Sequence, residues 1–429
     1  MTNSRDPVRY AILANAVRHL RLVPIALAAS LMFDPAIAGE RQGWVGTWLA
    51  SPQLTWGADF ALPVKIPPQL ENQTIRQTVR ISLGGEKFRV VLSKEYAATP
   101  VQIGGAHVAV AGEGSKIVAG TDRALTFGGQ AKAAIAPGTS LISDPVDLPL
   151  DALTRLSVSV YLPQETPLAT FHWDGKQTAY IGGGNQTASD AFAATQTTDA
   201  RILLSEILVD APANDGAVVA IGDSITDGAG ATLDADNRWP DFLAARLAPK
   251  QVAVLNAGIS GARLLDDAMG VKASARFDRD VLAQPGVKAV VLLIGINDIS
   301  WPGTPFVREK SLPAFETLTS AYLQLAAQAH AHNLSIVGAT LTPFEGALSG
   351  TPLDAYYTAE KDALRQKVNN WIRTSGAFDA VVDFDLLLRE PAHPTRLLPK
   401  FDSGDHLHPG DEGNQAMADA IDLATLVKN

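Results

Sequence analysis

Between Trp44 and Leu208 the apolar positions come in short runs broken by Gly and Pro. The clearest run is Leu156-Ser157-Val158-Ser159-Val160-Tyr161-Leu162, where every second residue is apolar, a period of two that predicts a strand with one buried face and one open face. Thr74–Ser82 and Lys87–Ser93 flank Leu83-Gly84-Gly85-Glu86, which reads as a hairpin because glycine supplies the positive φ angles of a tight turn. His107–Ala111 and Phe171–Ile181 offer further strands. With no helical stripe of 12 residues or more interrupting them, these elements predict an antiparallel, β-sandwich-like domain over residues 39–210.

After the polar stretch Asp210-Ala211-Pro212-Ala213-Asn214-Asp215-Gly216, short apolar runs alternate with amphipathic stretches. Ala217–Ile221, Val252–Asn256, Ala289–Ile294, Ser335–Leu341 and Ala380–Phe384 are almost continuously apolar, as strands covered on both faces must be. Trp239–Leu247, Pro313–His332, Ala355–Thr374 and Gly413–Val427 supply the helices, the first with Trp239, Phe242, Leu243 and Leu247 on one stripe. Repeated strand–helix alternation predicts an open α/β domain over 211–429 with a parallel five-stranded sheet, whose ligands bind beyond the carboxyl ends of the strands.

Charge narrows the partners. Lys and Arg total 35 against 45 Asp and Glu, a formal charge of -10 without a basic run, so nucleic acid is not expected as a partner. The absence of cysteine excludes disulfides, thiol catalysis and Cys-ligated zinc. Residues 1–38 read as a signal peptide: Arg5, Arg9, Arg18 and Arg21 precede an apolar run, Leu22–Phe33, and Ala36-Ile37-Ala38 has the small-residue spacing of a cleavage site after Ala38. That run of 12 residues falls short of the roughly 20 a membrane helix needs, so the expectation is a secreted or periplasmic protein without stable membrane insertion after cleavage.

Four polar clusters follow in chain order. Gly222-Asp223-Ser224 directly follows the first strand of the α/β domain, where a serine is exposed at the rim of the sheet. Gly261, in Asn256-Ala257-Gly258-Ile259-Ser260-Gly261, has no side chain to shield its N–H from a developing oxyanion. Asn297, in Gly295-Ile296-Asn297-Asp298, carries an amide able to add a second hydrogen bond; each of these glycine and Asn/Asp loops is equally at home as a plain turn. Asp405 and His408 are three apart, which lets a carboxylate orient one imidazole nitrogen while the other meets a serine hydroxyl. His406 and Asp402 are their nearest competitors. A metal held by His406 and His408 would lack the three ligands of a catalytic site, so neither metal nor cofactor is expected. Asp227 and Asp298 read as turn and network groups, and Trp301 and Phe306 either wall a pocket or sit in the core. His107, His172, His330, His332 and His393 lack a paired motif and read as ordinary surface or core residues.

Taken together, Gly222-Asp223-Ser224, Gly261, Gly295-x-Asn297 and Asp405-x-x-His408-Pro409 resemble, in order, the four sequence blocks of the GDSL, or SGNH, hydrolase superfamily. The likeness covers roughly residues 217–429. Upstream, Trp44-Val45-Gly46-Thr47-Trp48 and Phe171-His172-Trp173-Asp174-Gly175 are similar to the amino-terminal region of secreted bacterial two-domain members. The resemblance implies a three-layer flavodoxin-like fold with Ser224 as nucleophile, His408 as general base and acid, and Asp405 as its orienting partner. It also implies an oxyanion hole from the N–H groups of Ser224 and Gly261 and the amide of Asn297. The expected activity is hydrolysis of short-acyl carboxylic esters, small molecules or polysaccharides bearing O-acetyl groups. Alternatives are acyl transfer or lipase-like hydrolysis by the same site, and a non-catalytic glycan-binding protein.

Overall fold

A computed structural model describes residues 43–57, 59–212 and 216–427. The expected signal peptide, and residues 213–215 of the polar stretch between the two halves, lie outside the described residues.

All five apolar runs of the carboxyl-terminal half become parallel strands: Gly216–Gly222, Val252–Gly258, Val287–Leu293, Ser335–Ala339 and Ala380–Val382. The first lies between the second and the third, with the fourth and fifth following outward. The Gly216–Gly222 strand is buried along its whole length. Helices Trp239–Leu247 and Asp411–Ala420 pack on each other, as do Phe315–Ala331 and Ala359–Thr374. These helices begin within four residues of the expected starts, and the last in the chain ends at Ala420 instead of Val427. The Thr358 hydroxyl caps the Ala359–Thr374 helix through the Lys361 N–H at 3.2 Å, with Glu360 and Asp362 in the first turn and Arg373 in the last. Trp239, Leu243 and Leu247 are buried on the predicted stripe, with Phe242 half-buried beside them.

Beside three smaller antiparallel sheets of two or three strands, the amino-terminal half holds two larger ones. One orders Trp44–Leu49, Leu204–Asp210, Gly85–Ser93 and Ser140–Ile142, with Val146–Leu150 also paired to Gly85–Ser93. The other orders Gln196–Thr198, Ala179–Gly183, Gln73–Arg80, Arg155–Leu162, Gly105–Val110 and Arg123–Ala124. Two sequence expectations are corrected here. The strands on either side of Gly84-Gly85 do not form a hairpin: Gln73–Arg80 pairs with Arg155–Leu162 and Ala179–Gly183, whereas Gly85–Ser93 belongs to the other sheet. The glycines serve a close crossing, since a Cβ on Gly84 would sit 2.3 Å from the Leu150 carbonyl oxygen. Nor is the serine face of Arg155–Leu162 open, because Ser157 and Ser159 are buried. The Arg76 guanidinium donates to Ser159 Oγ at 2.8 Å and to the carbonyls of Ser115 and Thr187 at 2.9 and 3.2 Å, so loops cover that face and Ser159 is paired.

The Phe171–Ile181 region splits into Thr170–His172 and Ala179–Gly183, in different sheets, and the loop between them reaches the carboxyl ends of the parallel strands. The described residues from 43 to 427 form one compact unit with a hydrophobic core that runs through both halves. Where strand Trp44–Leu49 meets Val252–Gly258, Gly46 allows the approach: a Cβ there would fall 2.9 Å from Leu255 Cδ1. Ser82 Oγ accepts from the Val254 N–H across the same seam at 3.0 Å.

Arg276 ties two strand ends together from a fully buried position, donating to the carbonyls of Gly222 and Ala257 at 2.8 and 2.7 Å and pairing with Asp280 at 2.7 Å. Arg276→Leu is expected to lower unfolding free energy by about 3 kcal/mol or more, because carbonyls and a carboxylate lose a buried partner. Urea unfolding followed by circular dichroism measures this, and an unchanged midpoint would contradict the assignment.

Candidate active site

Three loops leave the carboxyl ends of adjacent strands and meet. The first strand ends at Gly222, where any Cβ would strike Thr226 Oγ1 and the Leu293 carbonyl. Ser224 then opens a four-residue helix, Ser224–Asp227, capped by Asp223, whose carboxylate accepts from the Ile225 N–H at 3.1 Å. In the second loop Gly261 adopts φ +75°, and a Cβ there would lie 2.3 Å from Met269 Sδ and 3.1 Å from Trp301 Cζ2. Backbone conformation and lack of space therefore both require glycine. In the third, Gly295 at φ +124° turns the chain into helix Ile296–Ser300, which carries Asn297. The loop before the last helix brings Asp405 and His408.

These residues form one hydrogen-bonded chain. Ser224 Oγ lies 2.8 Å from His408 Nε2, and His408 Nδ1 lies 2.6 Å from Asp405 Oδ2. The other Asp405 oxygen accepts from the N–H groups of Leu407 and His408 at 2.9 and 2.8 Å, which fixes the carboxylate against the ring. Burial alone would push the Asp405 carboxyl up; the His408 ring and these two amides outweigh it and hold it well below the usual carboxylate range. His406 is displaced from the chain: its side chain is 55% exposed and pairs with Asp402 at 2.5 Å. The two candidate pairs are thus separate, and only Asp405–His408 reaches the serine.

Opposite the serine, the N–H groups of Ser224 and Gly261 have no acceptor among the described residues. The Asn297 amide is held from both ends. Its Nδ2 donates to the Ala262 carbonyl at 2.9 Å, and its Oδ1 accepts from Tyr356 Oη–H at 2.7 Å, which leaves one amide hydrogen uncommitted. Lys361 Nζ donates to the carbonyls of Ser300 and Ala355 at 2.7 and 2.5 Å, tying the Asn297 helix to the segment that carries Tyr356. Asp298 accepts from the N–H groups of Leu264 and Leu265 at 2.7 and 2.8 Å and so anchors the chain just after Gly261.

Ser224, Gly261, Asn297, Asp405 and His408 all open into one cleft of about 370 Å³. Trp301 and Phe306 belong to its wall, stacked on each other at 4.5 Å between ring centroids. The amino-terminal half supplies the facing wall with Leu62, Lys65, Trp173, Asp174 and Lys176. Nothing periodic marks these last residues in the sequence, although Trp173 and Asp174 fall within the flagged Phe171–Gly175 stretch. Tyr356 carried no sequence signal, because its role depends on a contact 59 residues away. Three histidines read as unpaired do have partners: His107 with Asp122 at 2.8 Å, His330 with Asp379 at 3.0 Å, and His172 with Asp227 at 2.8 Å, the last pair wholly buried beneath the site.

Asp223 introduces a pH dependence. Burial pushes its carboxyl up from 3.8 to about 7, and its Oδ2 has no hydrogen-bond partner among the described residues. An acid whose pKa is raised by folding contributes stability that is complete below its unfolded value and lost as pH rises through its folded value. Stability is therefore expected to decline between roughly pH 4 and 7 in the wild type and to decline less in Asp223→Asn. Urea midpoints across that range are the check, and parallel profiles for the two proteins would contradict it.

The GDSL-like lipase/acylhydrolase family model matches residues 218–421. No curated protein matches the chain. Among solved structures, a carbohydrate acetylesterase from Sinorhizobium meliloti is 17% identical, with 49% of this chain and 100% of that one covered at a TM-score of 0.39. A catalytic mutant of an acetylxylan esterase from Geobacillus stearothermophilus is 25% identical over 48% and 91% of the two chains at 0.35. A psychrotrophic esterase from a Pseudoalteromonas species is 16% identical over 48% and 94% at 0.35. Residues 218–421 of this chain thus form a GDSL-like lipase/acylhydrolase domain.

Proposed function

We propose that the protein hydrolyses short-acyl carboxylic esters, with acetylated carbohydrate as the substrate class, through an acyl-enzyme on Ser224. The observation that carries this reading is the Ser224–His408–Asp405 chain, opening on a cleft beside two N–H groups that have no other acceptor. Ser224 Oγ attacks the ester carbonyl carbon as His408 Nε2 takes the hydroxyl proton, and Asp405 steadies the imidazolium that results. The carbonyl oxygen becomes an oxyanion held by the N–H groups of Ser224 and Gly261 and the free amide hydrogen of Asn297. Collapse breaks the ester C–O bond, and the leaving alcohol oxygen takes the proton from His408. Water then attacks the acyl-serine with His408 again as base, releasing the acid and restoring the serine hydroxyl.

The cleft supports the finer reading in two ways. Met269 and Trp301 line the cleft beside Gly261 and give an apolar surface against which a short acyl group can rest. The wall from the amino-terminal half carries Lys65, Asp174 and Lys176, donors and an acceptor suited to the hydroxyls of a sugar alcohol. Export to the periplasm or medium, where such polymers are met, is proposed from the charge and hydropathy pattern of residues 1–38.

Turnover of p-nitrophenyl esters of increasing chain length and of acetylated xylan tests the reading. Ser224→Ala is expected to retain only residual activity, and Asn297→Ala to lose about 100-fold or more in kcat, the usual effect of removing one oxyanion donor. A near-normal rate for Asn297→Ala would remove that residue from the site, and turnover that rises with chain length would contradict the short-acyl assignment.

A further inference from the structure

Asp227 ends the short helix that Ser224 begins, and its carboxylate is fully buried. Its Oδ2 accepts twice from Ser260, from the N–H at 2.8 Å and from the hydroxyl at 2.9 Å. Its Oδ1 faces His172 Nε2 at 2.8 Å. His172 Nδ1 lies 3.0 Å from the Ser51 carbonyl oxygen, which can only accept, so Nδ1 carries a hydrogen. Nε2 in turn meets a carboxylate whose other oxygen is already filled by two donors. Both ring nitrogens therefore donate, and the ring is an imidazolium. Burial works against that charge; the charge of Asp227 and the bond to it outweigh burial and raise the pKa of His172 above its ordinary value. Asp174 also faces this group, with its Oδ2 3.5 Å from Ser260 Oγ and Lys65 and Lys176 each 3.7 Å from its Oδ1; the charges of Arg238 and Arg276 also act on Asp227.

The connectivity is unusual in what it joins. His172 and Ser51 belong to the β-rich half, Asp227 to the helix of Ser224, and Ser260 immediately precedes Gly261. One carboxylate thus links both halves of the molecule to the segments that carry the serine and the glycine N–H.

We propose that His172 is a positioning residue, which through Asp227 and Ser260 holds the Gly261 N–H in place beside Ser224. The assignment rests on the reading of Gly261 as an oxyanion donor. Without the imidazolium, Asp227 would be a buried charge with no cation hydrogen-bonded to it among the described residues, and it would take up water or a proton and release Ser260. A shift of about 1 Å in the donor is enough to cost roughly 100-fold in rate. The β-rich half would then take part in turnover as well as in forming the cleft.

The test uses the full chain with His172→Gln, Ser260→Ala and the double variant, assayed on p-nitrophenyl acetate together with thermal unfolding. His172→Gln is expected to lower kcat about 100-fold with KM within about twofold, since the damage falls on the transition state and spares ground-state binding. Ser260→Ala should lower kcat about tenfold, and the double variant should fall no further than His172→Gln, because both act through the same carboxylate. A folded His172→Gln protein with wild-type kcat, or single effects that multiply in the double variant, would overturn the proposal. Should His172→Gln fail to fold, Ser260→Ala decides: a fall in kcat at constant KM supports the proposal and an unchanged kcat rejects it. Activity that survives in Ser224→Ala would instead reject the underlying assignment of the nucleophile, independently of these variants.

Discussion

Parallel strands cannot be joined by tight turns, so every connection must leave the sheet, and where successive connections leave in opposite directions a crevice opens at the carboxyl ends. Here that point lies between Gly216–Gly222 and Val287–Leu293. The loops that leave these two strands carry Ser224 and Asn297, and the neighbouring strand Val252–Gly258 delivers Gly261. Their nearness is a property of strand order. What remains is fine placement: Asp223 caps the serine helix, Tyr356 and Lys361 hold Asn297, Asp298 anchors the chain beyond Gly261, and Arg276 binds the ends of two strands.

The β-rich half is structurally inseparable from this crevice. Lys65, Trp173, Asp174 and Lys176 make one wall of the cleft. Gln53 also reaches across, its Nε2 donating to the Met269 carbonyl at 2.6 Å while its Oε1 accepts from the Trp173 N–H at 2.8 Å. The residue that crowds Gly261 is therefore fixed from the amino-terminal side. Lys65, 4.0 Å above the Trp173 ring and 2.8 Å from Asp199, is held by its own neighbours.

How much of this could be read in the sequence follows from the range of the forces involved. Ser224, Gly261, Asn297, Asp405 and His408 each sit in a short local pattern at a strand end or before a helix, so strand periodicity and turn chemistry make them candidates, and the family resemblance of the four blocks in order is what selects them. The parallel strands were legible for the same reason, being continuously apolar. Pairing in the β-rich half was not, because Gly84-Gly85 suits a tight turn and a close crossing equally well, and only the Leu150 backbone decides between them. Ser159 looks open to solvent in the sequence because the guanidinium that satisfies it comes from Arg76, on another strand. His172 was read as ordinary for a similar reason: its partner is 55 residues away, and no local spacing announces a buried ion pair.

The central claim is that one serine, activated by His408 and Asp405, carries the chemistry of an acylhydrolase domain. It is tested most directly by treating the protein with a fluorophosphonate, which reacts at an activated serine, and mapping the adduct by peptide mass spectrometry. The account predicts a single stoichiometric adduct on the peptide containing Ser224, abolished in His408→Ala; an adduct on another serine, or labelling of Ser224 that is indifferent to loss of His408, would contradict it.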